Sequence, residues 1–387
     1  MPIVEKYIAQ LFKRKGIGTT TEREFWKVVF NNLNSAIDEG YKSDVSYDTT
    51  DFEMLSNLKL NAASFAAFKN HTFKNELVKL LINSDGDIRD WSSFKNEAVK
   101  LNEKFNFRHL KSEYDHAVAS SNMAAKWQDF QKRKHLYPNL KYVAIIDSRT
   151  RELHKKWNGI VLPIDHKFWQ THYPPNDWGC RCDVLQTDEE EDTKKTEVND
   201  LPNLPKQFNN NSGITGNIFD KNHPYFESSD KNIIKQDVEA YKLKFPNYIY
   251  LKDVNVKVSA WADRSGLLSD IEVASFLNKN KYKVTIEPIA NPMFIQGVKM
   301  PEYKVDGKIA DRKSPSKISF KNVLKSANAQ NCEVVVIDLT DYPYDFEFAK
   351  NRIALSFKEV KSYSNIKKVI IVNKDKTKLF EYNRSVK

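Results

Sequence analysis

The sequence lacks the features that mark secreted and membrane proteins. It contains three cysteines in 387 residues, too few for a disulfide framework. No apolar run approaches the roughly 18 residues of a transmembrane helix. The N-terminal stretch MPIVEKYIAQLFKRK has no apolar core and does not resemble a signal peptide. We therefore expect a protein of a reducing cytoplasm that has no membrane partner.

Histidine is missing from the C-terminal part of the chain. All eight histidines lie between His71 and His223. Any catalysis after residue 250 must therefore do without the side chain most often used as a general acid or base. This absence favours carboxylate and metal chemistry in that part, although Lys, Arg, Tyr and Glu could still serve a metal-free enzyme.

The excess positive charge lies in the same part of the chain. Residues 251–387 hold 25 Lys and Arg against 16 Asp and Glu, a net charge of +9. Residues 1–250 hold 36 against 35, a net charge of +1. One interpretation is a lysine-rich surface that keeps the protein soluble. The other is a polyanion-binding domain joined to a domain with almost no net charge.

The pattern of apolar residues indicates two domains, in agreement with the length of the chain. Helical spacing recurs over residues 21–135, and a strand is predicted at 142–146. Residues 193–235 are rich in Lys, Asn, Pro, Ser and Gly, which indicates a partly disordered linker. The following pattern predicts a mixed α/β order, αβββαβαββ. The predicted parts are a mainly α domain over 1–190, a linker and tail over 191–250, and an α/β domain over 251–387.

An irregular segment from Asp147 to Val184 follows the predicted strand. It contains three prolines, three tryptophans, three histidines and a Cys-x-Cys pair. Its order, D-S-R-T-R-x-x-H, then G-x-x-x-P, F-W and P-P-N-x-W-G-C-R-C, resembles the signature of phage Mu F-like minor head proteins. The preceding EYDHAV stretch and the later segment Gly216–Phe226 also resemble such proteins, and the later segment is expected to pack back on the first domain. The resemblance implies a structural protein of the phage head whose partners are portal and capsid proteins.

Two cysteines in this segment are candidate metal ligands. Cys180 and Cys182 could form a tetrahedral zinc site with His154, His166 or His172. Their spacing matches no common zinc module, and stacked Pro and Trp side chains around two buried thiols would also hold the loop. We favour the metal-free interpretation at this stage, with structural zinc on His154, Cys180 and Cys182 as the alternative.

A second motif lies in the basic C-terminal part. Residues 301–313 read PEYKVDGKIADRK, which fits the pattern P-(D/E)-x(n)-(D/E)-x-K across a hairpin with an Asp-Gly turn. Asp311 and Lys313 are two positions apart on one strand, so both face the same side, and Glu302 can join them from the partner strand. The two carboxylates would bind Mg²⁺ or Mn²⁺, and the lysine would orient or deprotonate the nucleophile.

A third acid, Glu272, is predicted to join this site. It stands four residues from both Leu268 and Phe276, so it would interrupt the inward stripe of its helix. A carboxylate there is costly unless it is paired or bound to a metal. The combination of a helix Glu, strand acids and a Lys resembles PD-(D/E)xK nucleases. Residues 262–385 as a whole resemble the C-terminal tRNA-nuclease toxin domain of contact-dependent inhibition (CdiA-type) proteins.

The two resemblances together imply a phage or prophage minor head protein fused to a metal-dependent nuclease effector, found in the virion or the bacterial cytoplasm. The implied catalytic residues are Glu272, Glu302, Asp311 and Lys313, and the implied substrate contacts are Arg312, Lys321 and Gln330. The implied partners are tRNA or another nucleic acid and a cognate immunity protein. Two alternatives stay open: a purely structural capsid protein with a basic DNA-binding tail, and a metal-free ribonuclease of the barnase or EndoU kind.

Overall fold

Long helices and a broad sheet occupy different halves of the chain in the computed structural model. The structure describes residues 2–14, 19–42, 45, 50–192, 204–228, 230–359 and 363–384. One compact unit comprises Met1–Ser43 and Glu53–Val238, and the other comprises Asp44–Phe52 and Glu239–Lys387. The protein is therefore multidomain, with a helical N-terminal region and a C-terminal mixed sheet, as predicted.

The first unit is mainly helical because its apolar residues recur at helical spacing. On α2, the side chains of Phe25, Val29 and Leu33 are fully buried, and α2 packs along α5. The helices up to the end of this unit are α1 (Pro2–Arg14), α2 (Thr19–Tyr41), α3 (Thr50–Lys79), α4 (Trp91–Glu103), α5 (Leu110–Arg133), α6 (Glu152–Trp157), α7 (Phe168–Thr171), α8 (Ser212–Thr215) and α9 (Lys231–Lys244), which contains the boundary.

The described residues of the first unit also form a three-stranded antiparallel sheet. Its central strand β1 (Asn139–Val143) lies between β2 (Val161–Pro163) and β3 (Asp183–Thr187). The strand begins earlier than the predicted residue 142, because Asn139 already pairs with both neighbours. The irregular segment Asp147–Val184 is thus anchored at both ends by the sheet. Its apolar side chains share a core with α5 and β1, in which Trp157, Trp169 and Tyr173 are fully buried.

Residues 204–226 are a packed part of the first unit, which corrects their interpretation as linker. Phe219 stacks on Phe65 of α3 with the ring centroids 3.6 Å apart. The Asn61 Oδ1 atom accepts hydrogen bonds from the backbone N–H groups of Ile218 and Phe219 at 3.0 and 2.9 Å. A few apolar side chains within a polar composition are enough to dock this stretch on the helices. The expected packing of the tail segment is confirmed, while residues 193–203 of the predicted linker lie outside the described residues.

In the described part of the second unit, an eight-stranded mixed sheet has the order β11-β10-β9-β8-β7-β6-β5-β4. The pairs β5–β6, β8–β9 and β9–β10 are parallel, and the other pairs are antiparallel. The strands are β4 (Tyr248–Leu251), β5 (Val256–Ser259), β6 (Val284–Ile286), β7 (Tyr303–Val305), β8 (Lys308–Lys313), β9 (Val334–Asp338), β10 (Lys368–Val372) and β11 (Leu379–Asn383). The sheet begins with two strands that sequence reasoning missed, and β4 occupies residues predicted as linker.

Helices cover both faces of this sheet. After β5 the chain runs through α10 (Leu267–Lys279), strands β6 to β8, α11 (Lys321–Ala329), β9, α12 (Phe346–Glu359) and the last two strands. Leu324 of α11 and Ile353 of α12 share a core with Val335 and Ile337 of β9. On the opposite face, the Tyr303 hydroxyl donates to the backbone carbonyl of Asp270 on α10. Because side chains alternate along a strand, β8 presents odd-numbered residues to one layer and even-numbered residues to the other.

The docking of residues 204–226 leads to a first prediction, concerning Asn61. Replacing Asn61 by Ala leaves two backbone N–H groups without their acceptor, so we expect the free energy of unfolding of the first unit to fall by about 2–4 kcal/mol. Hydrogen exchange followed by mass spectrometry should show faster exchange at residues 217–220. The matched control is Asn222→Ala, because Asn222 is exposed and bonds locally to Asp220. Unchanged exchange in Asn61→Ala would contradict this account.

Candidate functional site

The candidate site is built on the hairpin of β7 and β8. Val305 pairs with Lys308 across a two-residue turn, in which Asp306 and Gly307 have φ angles of 51° and 78°. Two consecutive positive φ angles define the turn type that Asp-Gly favours and that matches the twist of paired strands. The motif therefore folds locally as the hairpin predicted from the sequence.

The hairpin register places three predicted site residues on one face. Tyr303 pairs with Ala310, and the same register continued by one residue sets Glu302 opposite Asp311. The Asp311 side chain is buried, and its Oδ2 atom lies 2.5 Å from Lys313 Nζ. Within the described part of the chain, nothing donates a well-directed hydrogen bond to that oxygen. Asp311 thus has an ion-pair partner and spare capacity to bind a ligand.

The Glu302 carboxyl is half-buried, and other acidic side chains lie near it. Burial raises the pKa of its carboxyl to about 7, and the Asp270 and Asp311 carboxylates add to the rise. The positive charges of Lys313 and Arg312 oppose this rise in the pKa of Glu302. Glu302 is therefore only partly ionised at neutral pH, where an ordinary glutamate would be fully charged.

Arg312 points to the other face of the sheet and links three elements. Its Nε atom lies 2.5 Å from Asp270 Oδ1 on α10, and its Nη1 atom lies 2.9 Å from Asp338 Oδ2 at the end of β9. Both carboxylates are buried. Burial raises the pKa of Asp270, which the charge of Arg312 opposes. These two ion pairs give Arg312 a structural role, and its predicted contact with a substrate stays a prediction.

The expectation that Glu272 turns inward on α10 is wrong. Its side chain is 48% exposed, and its Oε2 atom lies 3.4 Å from Lys376 Nζ. Leu268, on the same side of the helix, is also exposed. The inward acid of this helix is Asp270, two positions earlier, because the helix is turned so that Asp270 meets Arg312. The spacing argument chose the wrong side of α10, since its apolar residues extend around the helix.

Sequence reasoning missed three buried acids that lie on or next to elements of the C-terminal sheet domain. Besides Asp270, Asp338 ends the buried strand β9, and Glu287 follows β6. An acid at the end of the apolar run VVVID was the available signal for Asp338. Glu287 is fully satisfied: its Oε1 atom accepts from the Tyr248 and Thr285 hydroxyls at 2.7 and 2.8 Å, and its Oε2 atom pairs with Lys304 at 2.6 Å. It is therefore a structural acid.

The two other predicted substrate contacts lie at the two ends of α11. Lys321 is exposed at the start of this helix. Gln330 follows the end of the helix, and its Oε1 atom is buried without a hydrogen-bond partner among the described residues. Their contact with a substrate stays a prediction.

The Cys-x-Cys loop of the first unit brings together one histidine and both cysteines. His154 Nδ1 on α6 lies 3.7 Å from Cys180 Sγ and 3.5 Å from Cys182 Sγ. Among the described residues, these three form the only group of His, Cys, Asp or Glu side chains whose ligand atoms all lie within 4.8 Å of one another. The other two histidines of the segment are engaged elsewhere. His166 Nδ1 accepts from the Phe168 N–H, and His172 Nδ1 lies 2.7 Å from Thr171 Oγ1.

A search for membrane-crossing helices gives a negative result: over the described ranges, no helix combines the length and the apolar character required.

Arg312 gives the second prediction. Arg312→Met leaves Asp270 and Asp338 buried without their cation, so we expect the second unit to lose about 3–5 kcal/mol of unfolding free energy. The loss should be larger at pH 8 than at pH 5, because protonation relieves an unpaired carboxylate. Urea unfolding of the full chain at both pH values measures it. Lys308→Met, an exposed site on the same strand, is the control. Adding Asp270→Asn and Asp338→Asn to Arg312→Met should recover part of the loss, and no recovery would contradict the assignment.

Glu302 gives the third prediction, on pH dependence. Its pKa in the folded protein, about 7, lies above the ordinary value of 4.5. Its contribution to stability is therefore fully present below pH 4.5 and is lost as the pH rises through 7. In chelator-treated protein, the carboxyl carbon signal that disappears in Glu302→Gln should titrate near pH 7 by NMR. Titration of that signal near pH 4.5 would show that the carboxyl is solvated.

Several known proteins resemble parts of the chain. The putative capsid assembly protein F of Escherichia phage Mu is 40% identical over 77 residues, which cover 20% of this chain and 18% of that protein. The Mu-like prophage FluMu F protein of Haemophilus influenzae is 33% identical over 122 residues, 32% of this chain and 30% of that protein. The chain thus spans less than a third of either relative. A CdiA-CT/CdiI toxin and immunity complex from Burkholderia pseudomallei is 18% identical with a TM-score of 0.25, covering 31% of this chain and 86% of that one.

Two known families match separate stretches. Residues 92–185 match the family described as phage Mu protein F like protein. This stretch runs from α4 to β3 and includes the Cys-x-Cys loop. Residues 299–377 match the contact-dependent growth inhibition CdiA C-terminal domain. That stretch contains Glu302, Asp311 and Lys313. The chain therefore joins a stretch that matches the phage Mu F-like family to a stretch that matches the CdiA C-terminal domain.

Proposed function

We propose that this protein is a minor head protein of a phage or prophage that carries a nuclease toxin in its second unit. The observation that carries the proposal is the face of the β7–β8 hairpin on which Glu302 stands opposite Asp311 and beside Lys313. This face lies within the stretch that matches the CdiA C-terminal domain. The Mu F-like stretch and a relative named for capsid assembly support a head role for the first unit, with portal and capsid proteins as partners.

The donor set fits a metal-dependent nuclease of the PD-(D/E)xK kind. Mg²⁺ commonly takes one or two carboxylates from a protein and fills its other positions with water and phosphate oxygens, so Glu302 and Asp311 are a sufficient pair. The charges agree with this. On the site face, the Glu302 and Asp311 carboxylates against the Lys313 ammonium leave one negative charge when all three are ionised. Mg²⁺ or Mn²⁺ bound there would polarise the scissile phosphate.

The chain's own groups have distinct parts in this scheme. The Lys313 ammonium, paired with Asp311 in the absence of substrate, can turn to a phosphate oxygen or hold the attacking group. Glu302, with its pKa near 7, can gain or lose a proton close to physiological pH. Arg312 supports the site from behind, because its ion pairs fix β8 against α10 and β9. Asp270, the inward acid of α10, has a supporting part in this scheme, because it holds Arg312 on the face opposite Asp311 and Lys313.

The proposed substrate is tRNA. The net charge of +9 over residues 251–387 favours a polyanionic substrate, and the CdiA-type resemblance favours tRNA over DNA. An enzyme that cuts the tRNA of its own host would harm the cell that makes it, so we include a cognate immunity protein among the partners. Lys321 and the unpartnered Oε1 atom of Gln330 are the proposed substrate contacts.

The fourth prediction tests the chemistry in the full-length protein. Incubation with total tRNA and Mg²⁺ should yield fragments. Asp311→Asn and Lys313→Met should each lower the cleavage rate by at least about 100-fold, because a ligand or a proton-handling group is lost. EDTA should stop cleavage, and excess Mg²⁺ or Mn²⁺ should restore it. Fragment formation on denaturing gels measures all of these effects.

Matched controls separate chemistry from folding and from general charge effects. Lys308→Met removes a lysine from the exposed end of the same strand, and Glu333→Gln removes an acid that pairs with Lys367. Both should leave cleavage within about twofold of the parent, because neither side chain belongs to the proposed site. Cleavage that persists in EDTA would replace this proposal with a metal-free ribonuclease. Binding of tRNA without fragments would favour a structural protein with a basic tail.

A further inference from the structure

The Cys-x-Cys loop has the geometry of a metal site, and its residues take no part in the proposed nuclease. His154 is buried on α6, and Cys180 and Cys182 lie half-buried on the loop before β3. We propose that the first unit binds one zinc ion through His154 Nδ1, Cys180 Sγ and Cys182 Sγ, and that this ion clamps the loop to the helix.

The interatomic distances are those of tetrahedral zinc. Zn–S bonds of about 2.3 Å and Zn–N bonds of about 2.0 Å at a tetrahedral angle place the nitrogen about 3.5 Å from each sulfur. The observed distances from His154 Nδ1 to the two sulfurs are 3.5 and 3.7 Å. The two sulfur atoms lie within 4.8 Å of each other, so a small shift of the side chains is enough to bring all three atoms to bonding distance from one ion.

Hydrogen bonding alone accounts less well for this arrangement. A ring nitrogen of neutral histidine has one lone pair, which can accept from one thiol along its axis. Here Nδ1 is at nearly the same distance from two sulfurs. An ion shared by the three atoms satisfies the nitrogen and both sulfurs at once, and thiolate sulfur with imidazole nitrogen is a donor set that zinc prefers.

The surrounding contacts hold the three ligands in place before any ion arrives. Arg151, just before α6, donates to the Trp178 carbonyl at 2.9 Å and pairs with Asp177 at 2.8 Å. Arg181, between the two cysteines, forms a two-pronged pair with Asp147 at 2.7 and 2.8 Å. The His154 ring stacks on the buried Trp157. Such outer contacts orient metal ligands and reduce the entropy lost on binding.

Three protein ligands leave one coordination position for solvent. A small polar cavity adjoins the ligands and is lined also by Arg149, Thr150 and Arg151. A water molecule there would complete the tetrahedron. The net charge of two thiolates and one zinc ion is zero, so the nearby arginines do not oppose the ion.

The fifth prediction is metal content. Full-length protein purified without chelators should contain about one zinc ion per chain by elemental analysis. Cys180→Ser, Cys182→Ser and His154→Gln should each lower zinc occupancy at equal free zinc by at least about tenfold. Cys332→Ser is the matched control, because Cys332 is buried in the second unit among apolar side chains, and it should keep its zinc. The circular dichroism of each variant shows whether it folds.

A second measurement keeps the test decisive if a variant misfolds. In unaltered protein, Cys180 and Cys182 should resist alkylation until a chelator is added, and Co²⁺ added to the chelated protein should produce a thiolate-to-metal absorption band. Unaltered protein that folds without zinc and takes up neither ion would overturn the proposal. Zinc retained in the Cys180→Ser/Cys182→Ser double variant would do so as well. Excess Mg²⁺ restores the proposed nuclease activity without zinc, so failure of one proposal is distinguishable from failure of the other.

Discussion

The double ion pair of Arg312 is the interaction on which the second unit depends. The guanidinium lies between Asp270 of α10 and Asp338 of β9, and neither carboxylate could stay buried and ionised without it. The pair of contacts fixes the helix on one face of the sheet. Since side chains alternate along β8, the same constraint directs Asp311 and Lys313 to the opposite face. Strand β8 thus carries structural ion pairs on one face and the candidate catalytic residues on the other.

In the first unit, the segment Asp147–Val184 has little regular secondary structure and must be ordered by other contacts. Two kinds of contact order this unit: buried aromatic rings, and side chains that form hydrogen bonds with backbone groups. Trp157 and Trp169 form the core of the segment, while Arg151 and Asn61 each fasten a loop by hydrogen bonds to its backbone. The proposed zinc ion would act in the same way, by joining a loop to a helix where few apolar contacts exist.

The proposed function unites two tasks with different structural demands. A head protein needs a stable surface for assembly, whereas a nuclease needs charged groups close together and partly buried, which lowers the free energy of unfolding. Each unit has a core of its own, so charged groups gathered around Glu302 need not weaken the Mu F-like part. In the proposed function, the toxin travels with the phage head and acts on nucleic acid.

The sequence by itself determined the features that depend on near neighbours. The Asp-Gly turn, the pairing of Glu302 with Asp311 and the order of elements after Leu267 follow from local periodicity and turn chemistry. Only the tertiary structure decided which side of α10 faces inward, so that Asp270 and not Glu272 is the buried acid of this helix. It also selected His154 from three histidines and docked residues 204–226 on α3. These outcomes depend on partners far away in the chain, such as Arg312 for Asp270 and Asn61 for Phe219. Spacing along one element carries no information about them.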